Sequence, residues 1–168
     1  MQRVLYKLTD QDNKTRTGET NETQWGEGIV RSIATTNNPQ LCSNTVIHAY
    51  TTPLLAALFN SIHANINDPI LWRCVGEVVV KDHTKVGCSI LKTIAKIELP
   101  NITMTQRVAF GILCSMKVHK RASYQHWAKQ WLKGKDRTAN AAYAAANAAY
   151  AAYNAAYITN AAYNAACA

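Results

Sequence analysis

Residues 71–100 read LWRCVGEVVVKDHTKVGCSILKTIAKIELP. Two apolar runs rich in β-branched residues flank the polar turn Asp82-His83-Thr84-Lys85. That is the pattern of two long strands joined as a hairpin. The first strand is expected over 71–81, with Val78, Val79 and Val80 in its second half. The second is expected over 86–99, with Ile90, Ile94 and Ile97 as its apolar positions. Pro100 closes it, because proline has no N–H for a ladder.

Reading back from this hairpin, residues 46–51 (VIHAYT) form a further strand candidate. Thr52 then caps a helix with Pro53 in its first position, a strong start signal. Leu54, Leu55, Leu58 and Ile62 are expected on its buried face, and residues 65–69 end it. Residues 29–35 and 4–9 alternate enough to be strands. Residues 10–13 are turn chemistry, and the polar stretch 14–22 reads as a mobile loop. Trp25, followed by Gly26 and Gly28 in QWGEG, reads as a packing anchor before a stacking platform.

Reading forward, Thr103 and Gln106 make a T-x-x-Q capping box. The helix it opens runs to about His119. Val108, Ala109, Phe110, Ile112, Leu113, Cys114 and Met116 are apolar nearly all round it, which predicts a central helix. Ser123 is the expected cap of the next helix, which carries Trp127 and Trp131 one turn apart and stops at Gly134. Strands first and helices later indicate an α+β domain over 1–137. It holds a mostly antiparallel sheet of about five strands and three helices.

Residues 138–168 read TANAAYAAANAAYAAYNAAYITNAAYNAACA. Alanine is the best helix former, and no Gly or Pro interrupts the run. The expectation is a long Ala/Tyr-rich C-terminal helix, about 45 Å if helical throughout. Ala141, Ala145, Ala148, Ala152, Ala155, Thr159 and Ala162 alternate spacings of four and three, a coiled-coil seam of small residues. Tyr143, Tyr150, Tyr153 and Tyr157 ridge the other side. No charge follows Arg137, so repulsion does little against association. Self-association into a bundle or filament is the leading reading. A low-complexity tail and a helix folded back on its own domain are the alternatives.

The chain has 168 residues and a net charge of +8. The excess is local. Residues 1–106 hold ten Lys/Arg against nine Asp/Glu, and residues 107–137 hold eight against one. Lys117, Lys120, Arg121, Lys129, Lys133, Lys135 and Arg137 interleave with Tyr124, Trp127 and Trp131. Such a segment is a candidate for nucleic-acid or nucleotide binding. The plainer view is that both tryptophans are core.

Five cysteines without close pairs argue for reduced, mostly buried thiols and against a disulfide or zinc framework. HExxH and phosphate-loop motifs are absent, so no metal and no cofactor are expected. No run is apolar and long enough to span a membrane, and the N-terminus lacks a signal-like apolar stretch. The expected location is cytoplasmic.

The phrases YKLTDQD, TQWGEG, LCSNTVIHAYTTPLLAALFNSIHANINDPILWRC, KVGCSILKTIAKIELP and TQRVAFGILC resemble a family encoded by tailed bacteriophages and bacteria. The resemblance covers about residues 4–137 and implies no transferable activity. Members often end in Ala-rich or repetitive tails. It implies a bacterial host cytoplasm, or association with a virion. The strand ending His48-Ala49-Tyr50, followed at once by a helix, also vaguely resembles the middle of ADP-ribosyltransferase domains. That likeness implies an NAD site with Glu77 or Glu98 as its late glutamate. The leading expectation is a non-enzymatic, phage-type accessory protein that self-assembles through its tail and displays a basic domain.

Overall fold

The computed structural model describes residues 2–34, 36–120, 122–135, 137, 138 and 140. The predicted tail seam and tyrosine ridge, from Ala141 to Ala162, lie outside the described residues, as do Arg121 and Asp136. Two compact units divide the chain, Met1–Ile102 and Thr103–Ala168. The contact boundary therefore precedes the helix opened by Thr103, whereas the composition boundary follows Arg137.

The first unit is built on the hairpin. Strands β1 (Gln2–Thr9), β2 (Lys14–Thr15), β3 (Thr23–Gln24), β4 (Val30–Ser32) and β5 (Ile47–Ala49) precede helix α1 (Pro53–Phe59). The long strands β6 (Ile70–Lys81) and β7 (Val86–Ile97) follow. A five-stranded antiparallel sheet runs β1-β6-β7-β4, with β5 also paired to β7. Strand β4 takes Ile90–Lys92 of β7 and β5 takes Val86–Cys88. Just past β5, Tyr50 exchanges two backbone hydrogen bonds with Tyr6 of β1, at 2.9 and 2.7 Å. The sheet thus curls until its two sides meet.

Curling needs bends and room. Register shifts in the β6–β7 ladder at Arg73/Cys74, Glu77/Val78 and Val78/Val80 supply the bends. Gly76 and Gly87 supply the room. A Cβ on Gly76 would lie 2.7 Å from the Ile90 carbonyl oxygen, and one on Gly87 would lie 2.7 Å from Val46. The same shifts re-phase β7, so its inward residues are Val86, Cys88, Leu91 and Thr93. Ile90, one of the apolar positions read in this strand, is exposed.

Inside the curl, Leu5, Trp25, Ala49, Ile70, Trp72, Cys74, Val86, Cys88 and Leu91 form one apolar cluster. Each fully buried leucine contributes about 1.5–3 kcal/mol. Side chains alternate along a strand. Leu5, Lys7 and Thr9 stand opposite Cys74, Trp72 and Ile70, so a lysine shares the inward face with the core.

Two local expectations need correction. Helix α1 is capped as read, with the Thr52 hydroxyl accepting from Leu55 N at 3.2 Å. Its buried residues are Ala56, Ala57 and Phe59, however, while Leu54 and Ile62 are exposed. Ile62 is turned out because the α-turn lasts seven residues and then widens into a π-turn over Asn60–Ala64, which changes the phase, whereas Leu54 lies on the outer face of α1 itself. The polar stretch 14–22 begins as strand at Lys14–Thr15 and continues as a loop that is tied down by hydrogen bonds and an ion pair. Strands β2 and β3 pair, Lys14 and Glu22 meet at 2.7 Å, and the Asp10 carboxylate accepts from Asp12 N, Lys14 N and the Thr17 hydroxyl.

The second unit holds α2 (Met104–Val118) and α3 (Ala122–Leu132). The capping box is formed as predicted, with Thr103 and Gln106 each accepting from the other's backbone. Helix α2 is one-sided instead of central. Among its residues only Ile112 and Ser115 are buried, and Met104, Leu113 and Val118 are exposed. Its inward stripe meets Ala128 and Trp131 of α3. Helix α3 begins before Ser123, which therefore is not its cap. It ends at Gly134, φ +80°, with Gly134 N donating to Trp131 O and Lys135 N to Gln130 O. This is a Schellman turn.

Candidate anion site in the first unit

Lys7 is 8% exposed and makes no ion pair among the described residues. Its ammonium donates to the His48 carbonyl at 3.0 Å and sits 4.7 Å from the centre of the Trp25 ring. Burial, with a smaller push from the Arg16 charge, brings its pKa down to about 8; Cys74 and Cys88 oppose this. Trp25 is packed, as the sequence indicated, with its Nε1 donating to the Thr15 hydroxyl at 3.1 Å.

Lys85 is the second such lysine, at 9% exposure. It ends the hairpin turn, where the Asp82 carboxylate accepts from Thr84 N, the Thr84 hydroxyl and Lys85 N. Burial raises the Asp82 pKa, but these hydrogen bonds outweigh it and hold the group below the usual carboxylate range. The turn carboxylate is thus committed to hydrogen bonds, and the Lys85 Nζ points instead at the Cys42 sulfur, 2.9 Å away.

Both lysines line a cavity of about 340 Å³, together with Arg16, Glu19, Cys42, His48, Tyr50 and His63. A neighbouring cavity of about 230 Å³ shares Lys7, Thr15, Arg16 and His48 and adds Arg31 and Asn44. Among the described residues the two linings carry four Lys/Arg, and Glu19 is their only carboxylate.

The remaining polar groups are held neutral. His48 Nε2 accepts from Cys42 N at 3.0 Å, which leaves the ring proton on Nδ1. Burial first, then the charges of Lys85, Lys7 and Arg16, bring the His48 pKa down to about 4. His63 moves in the same direction, through burial and then Lys85. The π-turn after α1 delivers His63 to the cavity, where it stacks on Phe59 at 5.0 Å and on Tyr50 at 6.1 Å. Burial pushes Tyr50 up to about 12. The site therefore presents fixed positive charge, neutral rings and a hydroxyl, with very little negative charge of its own.

Of the residues singled out in the sequence, His48 and Tyr50 meet here. Glu77 and Glu98 line neither cavity; the Glu77 carboxylate accepts from the Ser89 hydroxyl at 3.4 Å and Glu98 is exposed. The glutamate of the ADP-ribosyltransferase reading is not brought to the His48–Tyr50 pair. Lys7, Arg16 and Lys85 were not singled out. Lys7 sits in a strand where Val4, Tyr6 and Leu8 compete with Leu5 for the inward face, and Lys85 looks like an ordinary turn residue.

In the second unit Lys117, Lys129, Lys133 and Lys135 are exposed. Lys120 donates to Met116 O at 3.3 Å. Arg137 donates to Trp131 O at 3.2 Å and lies over the Trp131 ring. Trp131 is buried, and Tyr124 and Trp127 pack on the same cluster, so these rings serve the helix pair as core. Of the cysteines, Cys74 and Cys88 are buried as expected, while Cys42 and Cys114 are exposed. Among the described residues no group of three or more His, Cys, Asp and Glu gathers as for a metal ion, and no helix is long and apolar enough to cross a membrane. Comparison with protein-family models, curated proteins and solved structures finds no match.

Proposed function

We propose that the first unit is a binding module for a small phosphorylated anion of nucleotide size, held between Lys7, Arg16 and Lys85. One observation carries this reading: two ammonium groups, each about nine-tenths buried, face one cavity in which Glu19 is the sole carboxylate among the described residues and pairs with neither of them. Buried charge is normally paired, because leaving water costs several kcal/mol per ion. A phosphate group supplies the missing charge and several acceptors. The volume falls at the lower end of small-molecule sites. Neutral His48, His63 and Tyr50 suit hydrogen bonding and ring contact without adding charge. This relocates the nucleotide-binding expectation from residues 107–137 to the curled sheet.

The C-terminal tail gives this module a second role. We propose that copies associate through the Ala141–Ala162 seam, displaying several anion sites on one assembly. Support comes from the four-and-three spacing and from the lack of charge after Arg137. Together these describe a non-enzymatic accessory protein of phage type that gathers a phosphorylated small molecule in a bacterial cytoplasm.

Isothermal titration with inorganic phosphate, pyrophosphate and nucleoside mono- and diphosphates tests the binding. Replacing Lys85 by Met removes a charge-assisted contact and should weaken binding by about ten- to hundredfold. Equal binding by the wild type and this variant places the ligand elsewhere.

A further inference from the structure

The contact between Cys42 and Lys85 has a chemistry of its own. The Nζ–Sγ separation is 2.9 Å, as short as an ordinary N–H···O bond although sulfur is the larger atom. Three features hold it. Cys42 adopts a left-handed backbone, φ +62°, and its N–H is tied to His48 Nε2 at 3.0 Å. The lysine is buried, and the Asp82 carboxylate holds its backbone N–H at 2.8 Å. Among the described residues no carboxylate forms an ion pair with the ammonium. The thiol, by contrast, is exposed. A small oxidant therefore reaches the sulfur while the amine waits behind it.

We propose that Cys42 and Lys85 form a reversible oxidative sulfur–nitrogen cross-link at the mouth of the cavity. Hydrogen peroxide supplies the oxidising equivalents. In the first step the Cys42 thiol attacks the peroxide, the O–O bond breaks, and sulfenic acid and water are formed. In the second step the Lys85 nitrogen attacks that sulfur. The S–O bond breaks, its oxygen leaves as water, and the ammonium loses two protons, one to that water and one to solvent. The product is a sulfenamide, R–S–NH–R, which a thiol reductant returns to free thiol and amine. Sulfenic acids undergo this condensation with backbone nitrogen, and here a side-chain nitrogen is already in place. Cys74 and Cys88 are fully buried in the same unit, and burial pushes both thiols up, to about 12 and about 11. They are poor competitors for the oxidant.

The cross-link removes the Lys85 charge from the cavity. Its consequence for ligand binding rests on the anion-site reading above; its formation does not. The test is peptide mapping by mass spectrometry of the full chain after hydrogen peroxide, with and without a thiol reductant afterwards. The expected result is a joined peptide pair, Cys42 to Lys85, lighter by two hydrogens and separated by the reductant. It should be absent from Cys42→Ser and from Lys85→Arg. Cys42 found as unlinked sulfenic or sulfinic acid, or unoxidised, overturns the proposal, and this readout on the wild type needs no variant to fold. Pyrophosphate titration of the cross-linked protein separates the two claims. A tenfold or greater loss supports both, and a confirmed link with unchanged binding overturns the anion-site role of Lys85 alone.

Discussion

Replacing Lys7 by Met isolates the energetic argument on which the anion site rests. In the folded chain the Lys7 pKa is about 8 against an ordinary 10.5. At pH 7 both folded and unfolded chains hold the proton, so the whole penalty of the buried charge is present, about 3 kcal/mol. Between pH 8 and 10.5 the unfolded chain holds more protons than the folded one, and stability rises with pH; by pH 9.5 about 2 kcal/mol of the penalty is relieved. Met keeps most of the side-chain volume and removes the charge, at the loss of the bond to the His48 carbonyl, about 1 kcal/mol. The variant should therefore be more stable than wild type at pH 7 by about 2 kcal/mol, and the advantage should vanish near pH 9.5. Urea unfolding read by alkylation of Cys74 and Cys88, both fully buried in this unit, reports the relevant unit. Taking the difference between variants suppresses the other groups that titrate in this range. A Met variant less stable than wild type by the same amount at both pH values would refute the reasoning, since it would mean that the ammonium is well satisfied where it lies.

Other outcomes follow from the same structure. The His48 pKa of about 4 lies below the ordinary 6.5, so the unfolded chain takes up a proton that the folded chain refuses. Stability of the first unit should fall by about 2 kcal/mol from pH 7 to pH 4, after allowing for partial exposure; His48→Asn should flatten this slope in the same alkylation assay. Gly76→Ala should destabilise by about 2 kcal/mol, because the added carbon meets the Ile90 carbonyl, and an unchanged urea midpoint would contradict the close approach. Glutamates at Ala148, Ala152 and Ala155 should reduce the light-scattering mass to that of one chain; a mass unaffected by them would argue against the seam.

The hairpin was legible because its two apolar runs and its turn are both strong local signals. The caps at Thr52 and Thr103 and the stop at Gly134 were legible for the same reason. What the sequence hid was phase. A π-turn after Phe59 and the bulges in β6–β7 re-aim Ile62 and Ile90, and neither irregularity has a residue signature. Helix α2 looked central because its composition is apolar, but among the described residues α3 covers only one stripe of it. The anion site escaped for a related reason. Lys7 and Lys85 lie far apart in sequence, and only the curl of the sheet brings them to one cavity. His48 and Tyr50 stood out in the sequence, yet as part of a constellation whose glutamate the fold leaves elsewhere.

Titration of the full chain with pyrophosphate at pH 7 and low salt is the most direct measurement. One site per chain is expected, with affinity lowered at least tenfold in both Lys7→Met and Lys85→Met. An absence of binding at millimolar pyrophosphate, or binding indifferent to both substitutions, would contradict it.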